Sequence, residues 1–268
     1  MRRDTSTRTV RLANGLTLPY VAQGDPTGPA VLMLHAWGES LNSFDRLLPL
    51  VPETIHVLAM DMRGHGAADK PAEGYALTDF ADDVTAFMDA LEISSAVLVG
   101  SSSGGYVAQQ VAIADPKRVN GLVLVGSPRS LHGRTAFADE VDRLEDPVDR
   151  PWVTDSLSWF PRFHDVPDWY LEERIDDGVR MPAHVWRSAL AGLTSATPPV
   201  EVATITAPTL IIWGGRDELL SRDDQLALSA DIPSSLLVVY EATGHLVLWE
   251  QPERVAEDLS DFMESLGR

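Results

Sequence analysis

The sequence predicts an α/β fold, a doubly wound and mostly parallel sheet carrying an inserted helical lobe. Three observations predict it. Short apolar runs recur along the chain, amphipathic segments of helical period separate them, and residues 128–206 interrupt that alternation.

In chain order, TVRLANGLTLPYV comes first, with Asn14-Gly15 between two alternating segments. That dipeptide marks a hairpin, so antiparallel edge strands are expected before the parallel run. The runs VLMLHA (Val31 to Ala36), HVLAMD (His56 to Asp61), AVLVG (Ala96 to Gly100) and LVLVG (Leu122 to Gly126) follow, with TLIIWG (Thr209 to Gly214) and LLVVYE (Leu236 to Glu241) after the interruption. Each is β-branched and apolar on both faces, as strands covered by helices on both sides must be. Between them, Leu77 to Leu91 places Leu77, Phe80, Val84, Phe87, Met88 and Leu91 on one helical stripe. Thr78 is the expected cap, with Asp79, Asp82 and Asp83 at the positive end of the helix. Tyr106 to Ala114 and Pro252 to Met263 have the same period. Residues 128–206 are rich in Pro, Asp and Trp and offer no strand. They are too long for a connecting loop, so a helical lobe is expected there, with 1–127 and 207–268 forming the core domain.

Composition narrows the function classes. Forty Asp and Glu against twenty-one Lys and Arg give a formal net charge of -19. Such a surface repels phosphate backbones and anionic headgroups, which argues against nucleic-acid or membrane partners. The absence of cysteine excludes disulfides, thiolate metal sites and cysteine nucleophiles. MRRDTSTRTV is followed by no apolar run of signal-peptide length, and no 18-residue apolar span occurs, so a cytoplasmic protein is expected.

Three consecutive serines in VLVGSSSGGYVAQQ stand between a buried strand and a helix. A side chain projecting from so sharp a turn needs glycine two residues before and two after it. Only Ser102 satisfies this, with Gly100 and Gly104, in the pattern G-x-S-x-G of a nucleophilic serine. Its hydroxyl needs a positioned base and an orienting acid. Of seven histidines, His245 follows the last strand after Gly244 and so falls at the same sheet edge as Ser102, whereas His132, His164 and His184 lie in the lobe. Asp217 in WGGRDELL follows the preceding strand and is the expected acid, with neighbouring Glu218 as the alternative.

LHAWGES, DMRGHG (Asp61 to Gly66), GSSSGG, GGRD and TGH, in this order on these elements, resemble the α/β-hydrolase superfamily over nearly the whole chain. The resemblance implies an oxyanion hole built from the backbone N–H groups of Ser103 and Trp37, although His35-Ala36 stands where the family usually has His-Gly. It makes His35 a structural hydrogen-bonding residue and gives Asp61 and Arg63 the task of holding loops near the site. Residues 128–206 correspond to a lid, and Trp152, Trp159 and Trp186 are expected to line an apolar pocket. The implied activity is Ser-His-Asp hydrolysis of a small, largely apolar ester or lactone, without metal or organic cofactor.

Relatives with other activities stay open. Cofactor-free haloperoxidases, acting as perhydrolases, share the serine triad, as do carbon-carbon bond hydrolases, whose carboxylate substrates need a cationic clamp such as Arg129 or Arg134. Aminopeptidases would use acidic lid residues, and a lactone-sensing receptor would keep an intact triad. Dehalogenases and epoxide hydrolases use an aspartate nucleophile, against which Ser102 argues. Oligomeric state leaves no mark in the sequence.

Overall fold

The computed structural model describes residues 6–133 and 135–267, so the Arg2-Arg3 pair of the amino-terminal stretch and Arg134 lie outside the described residues. β1 (Arg8–Arg11) and β2 (Thr17–Gln23) form the expected antiparallel hairpin, with Gly15 at φ +90° in its turn. β2 pairs antiparallel with β4 (His56–Met60), and every later pairing is parallel. These involve β3 (Ala30–Leu34), β5 (Ala96–Ser101), β6 (Val119–Val125), β7 (Thr209–Gly214) and β8 (Ser235–Tyr240). The sheet order is β1-β2-β4-β3-β5-β6-β7-β8. The chain therefore reverses its direction of travel between β3 and β5, the place where a doubly wound sheet opens a crevice at its carboxyl edge.

The period of two in each strand sorts the core into two faces. Leu32, Leu34, Leu58, Met60, Leu98, Leu122 and Leu124 pack with Phe80, Val84 and Phe87 of α1 (Leu77–Ala90) and Tyr106, Val107 and Val111 of α2 (Ser103–Ala114). Their alternates Val31, Met33, Val57, Ala59, Val97, Val99 and Val123 pack on the opposite side with Phe44, Leu47, Val255 and Leu259. Both faces are covered, which is why the strands read as unbroken apolar runs.

α1 begins two residues earlier than the Thr78 cap would place it. Ala76 is the cap, and its N–H donates to Asp79 Oδ2 at 2.8 Å. Leu77, 2% exposed, already belongs to the buried stripe and draws the helix start forward.

Between β6 and β7 lie α3 (Ala138–Asp142), α4 (Arg150–Ser156), α5 (Asp168–Arg180), α6 (Ala183–Ser195) and α7 (Pro199–Val202), with a 3₁₀ turn at Leu157–Trp159. No strand occurs among the described residues of this segment. The core resumes with α8 (Arg222–Asp231), the short α9 (Val247–Glu250) and α10 (Pro252–Leu266).

Two buried histidines tie loops beneath the crevice. His35 Nδ1 meets Ala36 O at 2.8 Å while its Nε2 accepts Met62 N–H at 3.0 Å, and His65 Nδ1 meets Arg63 O at 2.8 Å. The two rings are 5.1 Å apart. Burial, assisted by the neighbouring His65, holds His35 well below its ordinary pKa. Burial likewise lowers His65 to about 4, against a smaller upward pull from the Arg63 carbonyl. Between their lowered native values and the ordinary value near 6.5, the unfolded chain binds protons that the native one does not, so folding stability falls as pH drops through that window. Asp61 opposes this, because burial raises its carboxyl to about 6 and the native state binds the extra proton above pH ~3.8. Burial also lowers His56 and raises Glu39, so three histidines stand against two carboxyls and leave a net acid loss. Unfolding free energy is expected to fall by about 1–3 kcal/mol from pH 6.5 to 4.5, and His65→Gln should flatten that slope in urea titrations. A wild-type slope of zero would contradict this account.

Candidate active site

Four loops at the carboxyl edge converge on the crevice, following β3, β5, β7 and β8. The β5–α2 turn is the sharpest. Ser102 adopts φ 49°, ψ -120°, a conformation costing a residue with a side chain roughly 1–3 kcal/mol. The turn closes because Gly100 and Gly104 have no side chains. A Cβ on Gly100 would lie 2.3 Å from Gly105 Cα, and one on Gly104 would lie 2.2 Å from the Leu34 carbonyl oxygen. Ser101 closes β5, and Ser103 opens α2.

Ser102 Oγ lies 3.0 Å from His245 Nε2, and His245 Nδ1 lies 2.8 Å from Asp217 Oδ2. A carboxylate accepts only, so Nδ1 carries the proton and Nε2 is left to accept from the Ser102 hydroxyl. The other oxygen, Asp217 Oδ1, accepts the N–H groups of Leu219 and Leu220 at 2.8 and 3.0 Å, which fixes the carboxylate in its loop. Glu218 is exposed and takes no part. Phe160 stacks on the His245 ring at 5.3 Å between centroids. The structure thus brings Ser102, Asp217 and His245 together and leaves the other histidines elsewhere. His164 Nε2 meets Thr243 Oγ1 at 3.3 Å, His184 Nε2 meets Pro71 O at 3.2 Å, and His132 is exposed.

Trp37 and Ser103, the two residues expected to supply oxyanion donors, lie in direct contact. The Trp37 N–H donates to Ser103 Oγ at 2.7 Å, so it is already engaged by a side chain. The loop carrying Trp37 is held from several sides. Leu41 N–H donates to Asp61 Oδ1 at 2.7 Å, and the loop carrying Asp61 is itself anchored by a buried bidentate pair of Arg63 with Asp83, at 2.6 Å for each contact.

The crevice holds a cavity of about 110 Å³, partly open to solvent and lined by Ser102, His245, Trp37, Leu190, Leu246 and aromatic side chains of residues 128–206. Trp159 and Trp186 contribute to that wall as expected. Trp152 is not among the lining residues; it packs edge-on behind the other two, at 5.7 and 5.3 Å. Phe137 completes a stack between Trp37 and Trp159, at 5.7 and 4.6 Å, and was not anticipated.

Sequence reasoning also missed a buried polar cluster at the cavity edge. Arg174 Nη2 contacts Asp177 Oδ2 at 2.8 Å, Ser40 Oγ donates to the same oxygen at 2.7 Å, and Arg174 Nη1 donates to Asn42 O at 2.9 Å. Burial works against the Arg174 charge, and Asp177, Tyr170 and Glu39 outweigh it, holding the guanidinium above its ordinary pKa. Burial raises the Glu39 carboxyl, against the pull of Ser43 and Arg174. The i,i+3 spacing of Arg174 and Asp177 on α5 is a sequence signal for the pair; nothing in the sequence aims it at Ser40. Glu250 was likewise missed. Its carboxylate accepts the N–H groups of Phe163, His164 and Gly244 at 2.6, 2.8 and 3.3 Å, fastening residues 163–164 to the loop that carries His245. Arg129, considered as a substrate clamp, is paired with Asp231 at 2.7 Å and Glu201 at 3.3 Å. No helix among the described residues is long and apolar enough to cross a membrane.

Known proteins resemble the chain over most of its length. The chain is 27% identical over 243 residues to 3-oxoadipate enol-lactonase 2 of Acinetobacter baylyi, covering 90% of this chain and 91% of that protein. It is also 27% identical to the non-heme chloroperoxidase of Streptomyces lividans, covering 96% and 99%. The crystal structure of a hydrolase from Pseudomonas aeruginosa superposes with a TM-score of 0.83 at 26% identity, covering 97% of this chain and 99% of that one. Residues 29–252 match the family defined by the alpha/beta hydrolase fold, and the chain belongs to that family.

Proposed function

We propose that this protein is a serine hydrolase that cleaves a carboxylic ester or lactone of a small, largely apolar substrate through an acyl-enzyme on Ser102. The observation that carries the reading is the continuous hydrogen-bonded chain from Ser102 through His245 to Asp217, at 3.0 and 2.8 Å, opening into an aromatic-walled cavity.

In this mechanism His245 Nε2 takes the Ser102 proton as Oγ bonds to the substrate carbonyl carbon. The oxyanion sits toward the N–H groups of Trp37 and Ser103, the latter in the unpaired first turn of α2. As the C–O bond breaks, the protonated His245 delivers its proton to the leaving oxygen. Water then repeats the sequence, losing a proton to His245 and releasing the acid, and the proton returns to Ser102. Asp217 holds the imidazole in the required tautomer and orientation. Residues 128–206, read as a lid over this core, supply the apolar wall and set which acyl groups fit.

The cavity limits the acyl group. At about 110 Å³ it is smaller than the ~150 Å³ of a dry cavity that holds benzene. Among p-nitrophenyl esters, kcat/KM should therefore peak from acetate to butyrate and fall at least tenfold by decanoate, a difference of about 1.4 kcal/mol. A rate that rises steadily with chain length would contradict the size argument. The chloroperoxidase relative motivates a second reading, in which hydrogen peroxide replaces water at the acyl-enzyme. Peracid formed in preference to acid at millimolar peroxide would favour it.

A further inference from the structure

In the ligand-free protein the Trp37 N–H does not point into an empty hole. It donates to Ser103 Oγ at 2.7 Å, which lies within the 2.7–3.1 Å at which an oxyanion donor meets its charge. Seen from Trp37, the Ser103 hydroxyl therefore stands where the substrate oxyanion is expected. Ser103 is 6% exposed, lines the cavity beside Ser102, and is the first residue of α2. The Trp37 loop has other supports, including Trp37 Nε1 to Trp186 O at 3.3 Å and Ser40 to Asp177 at 2.7 Å, so this hydroxyl is not its sole fastening.

We propose that the Ser103 side-chain hydroxyl is a catalytic residue, a third oxyanion donor kept in place by the Trp37 N–H until the substrate carbonyl displaces it. This rests on the serine-hydrolase reading above. When the carbonyl oxygen enters, Ser103 Oγ turns about χ1 to a neighbouring staggered position. Its O–H then has the incoming oxygen as an acceptor, and the Trp37 N–H is released to the same atom, beside the Ser103 N–H. The hydroxyl keeps its hydrogen throughout, and no proton is transferred. For the Trp37 N–H the ground-state exchange is even, a neutral hydrogen bond to Ser103 Oγ for one to the carbonyl oxygen. In the tetrahedral transition state the new bond is charge-assisted and roughly twice as strong, so the gain is confined to the transition state and appears in kcat.

The test uses three variants of the full chain, Ser103→Ala, Ser103→Thr and Ser103→Cys, on p-nitrophenyl butyrate. Ser103→Ala is expected to lower kcat about 10- to 100-fold with KM within about threefold, at or below the range found for loss of one oxyanion donor. Ser103→Cys, a weak donor, should fall with it, and Ser103→Thr should restore most of the rate. Affinity for a trifluoromethyl ketone, which forms a tetrahedral adduct on Ser102, should fall in Ser103→Ala by the same factor as kcat/KM, with inhibition by butyrate unchanged. Ser103→Ala activity at or above wild type would mean that the hydroxyl only fills the hole and would overturn the proposal. Equal losses in the Ala and Thr variants would do the same, by assigning Ser103 a packing role. Ser102→Ala run alongside separates the failures: persistence of wild-type activity there sinks the serine-hydrolase reading itself, whereas its loss together with a neutral Ser103→Ala sinks only this inference.

Discussion

Ser102→Ala is expected to lower kcat on a short-chain ester by roughly 10⁶-fold, the scale seen when a serine protease loses its nucleophile. The size follows from the geometry. His245 Nε2 is 3.0 Å from Ser102 Oγ and has no other hydroxyl in that position, so the variant leaves a base without a nucleophile. What remains is catalysis by the oxyanion donors and binding alone. The fold should survive, because Ser102 makes its backbone bond, N–H to Val125 O at 2.8 Å, whichever side chain it carries. Alanine and serine are strained alike at φ 49°, so Tm should shift by no more than a few degrees. Near-wild-type kcat in a folded variant would remove Ser102 from the chemistry.

Asp217→Asn should cost about 10⁴-fold in kcat with KM little changed, as the tautomer argument requires. The amide oxygen can replace Oδ1 toward Leu219 and Leu220, leaving the amide nitrogen to face His245 Nδ1. Two donors then oppose each other, so the imidazole shifts its proton to Nε2 and can no longer accept from Ser102. Combined with Ser102→Ala, the second change should add almost nothing, because residues acting as one unit are strongly non-additive. Asp217→Asn activity within tenfold of wild type, with melting unchanged, would transfer the orienting role to another group.

The sheet was legible because its strands are covered on both faces, so each appears as an unbroken β-branched run; alternation in size then sorts Leu32 and Leu34 from Val31 and Met33. Ends were less legible. β6 starts at Val119, before the run at Leu122, because Asn120 and Gly121 carry no apolar signal although they continue the strand. Ser102 stood out from Ser101 and Ser103 by a local steric rule, which the contacts at Gly100 and Gly104 bear out. Asp217 and His245 were readable for a similar reason, each lying in a loop directly after a strand of the same sheet.

Contacts set by tertiary packing left no such trace. The Trp37–Ser103 bond joins residues 66 apart, and the Ser40–Asp177 bond joins residues 137 apart. Trp152 lies on α4 and Trp159 in the 3₁₀ turn directly after it, and only the packing of Phe137 and Trp186 decides which faces the cavity. Arg174 and Glu250 were hidden because an isolated charged residue on a helix is most often solvated; here both are buried and paired, at 2% and 4% exposure.

The account's central claim is that one serine of the three, Ser102, carries the acyl group. The most direct test is to treat the protein with a fluorophosphonate, digest it, and locate the adduct by fragment-ion mass spectrometry across residues 96–114. The account predicts one stoichiometric adduct on Ser102, abolished in Ser102→Ala and slowed in Asp217→Asn. An adduct on Ser101 or Ser103, or labelling of Ser102→Ala at the wild-type rate, would contradict it.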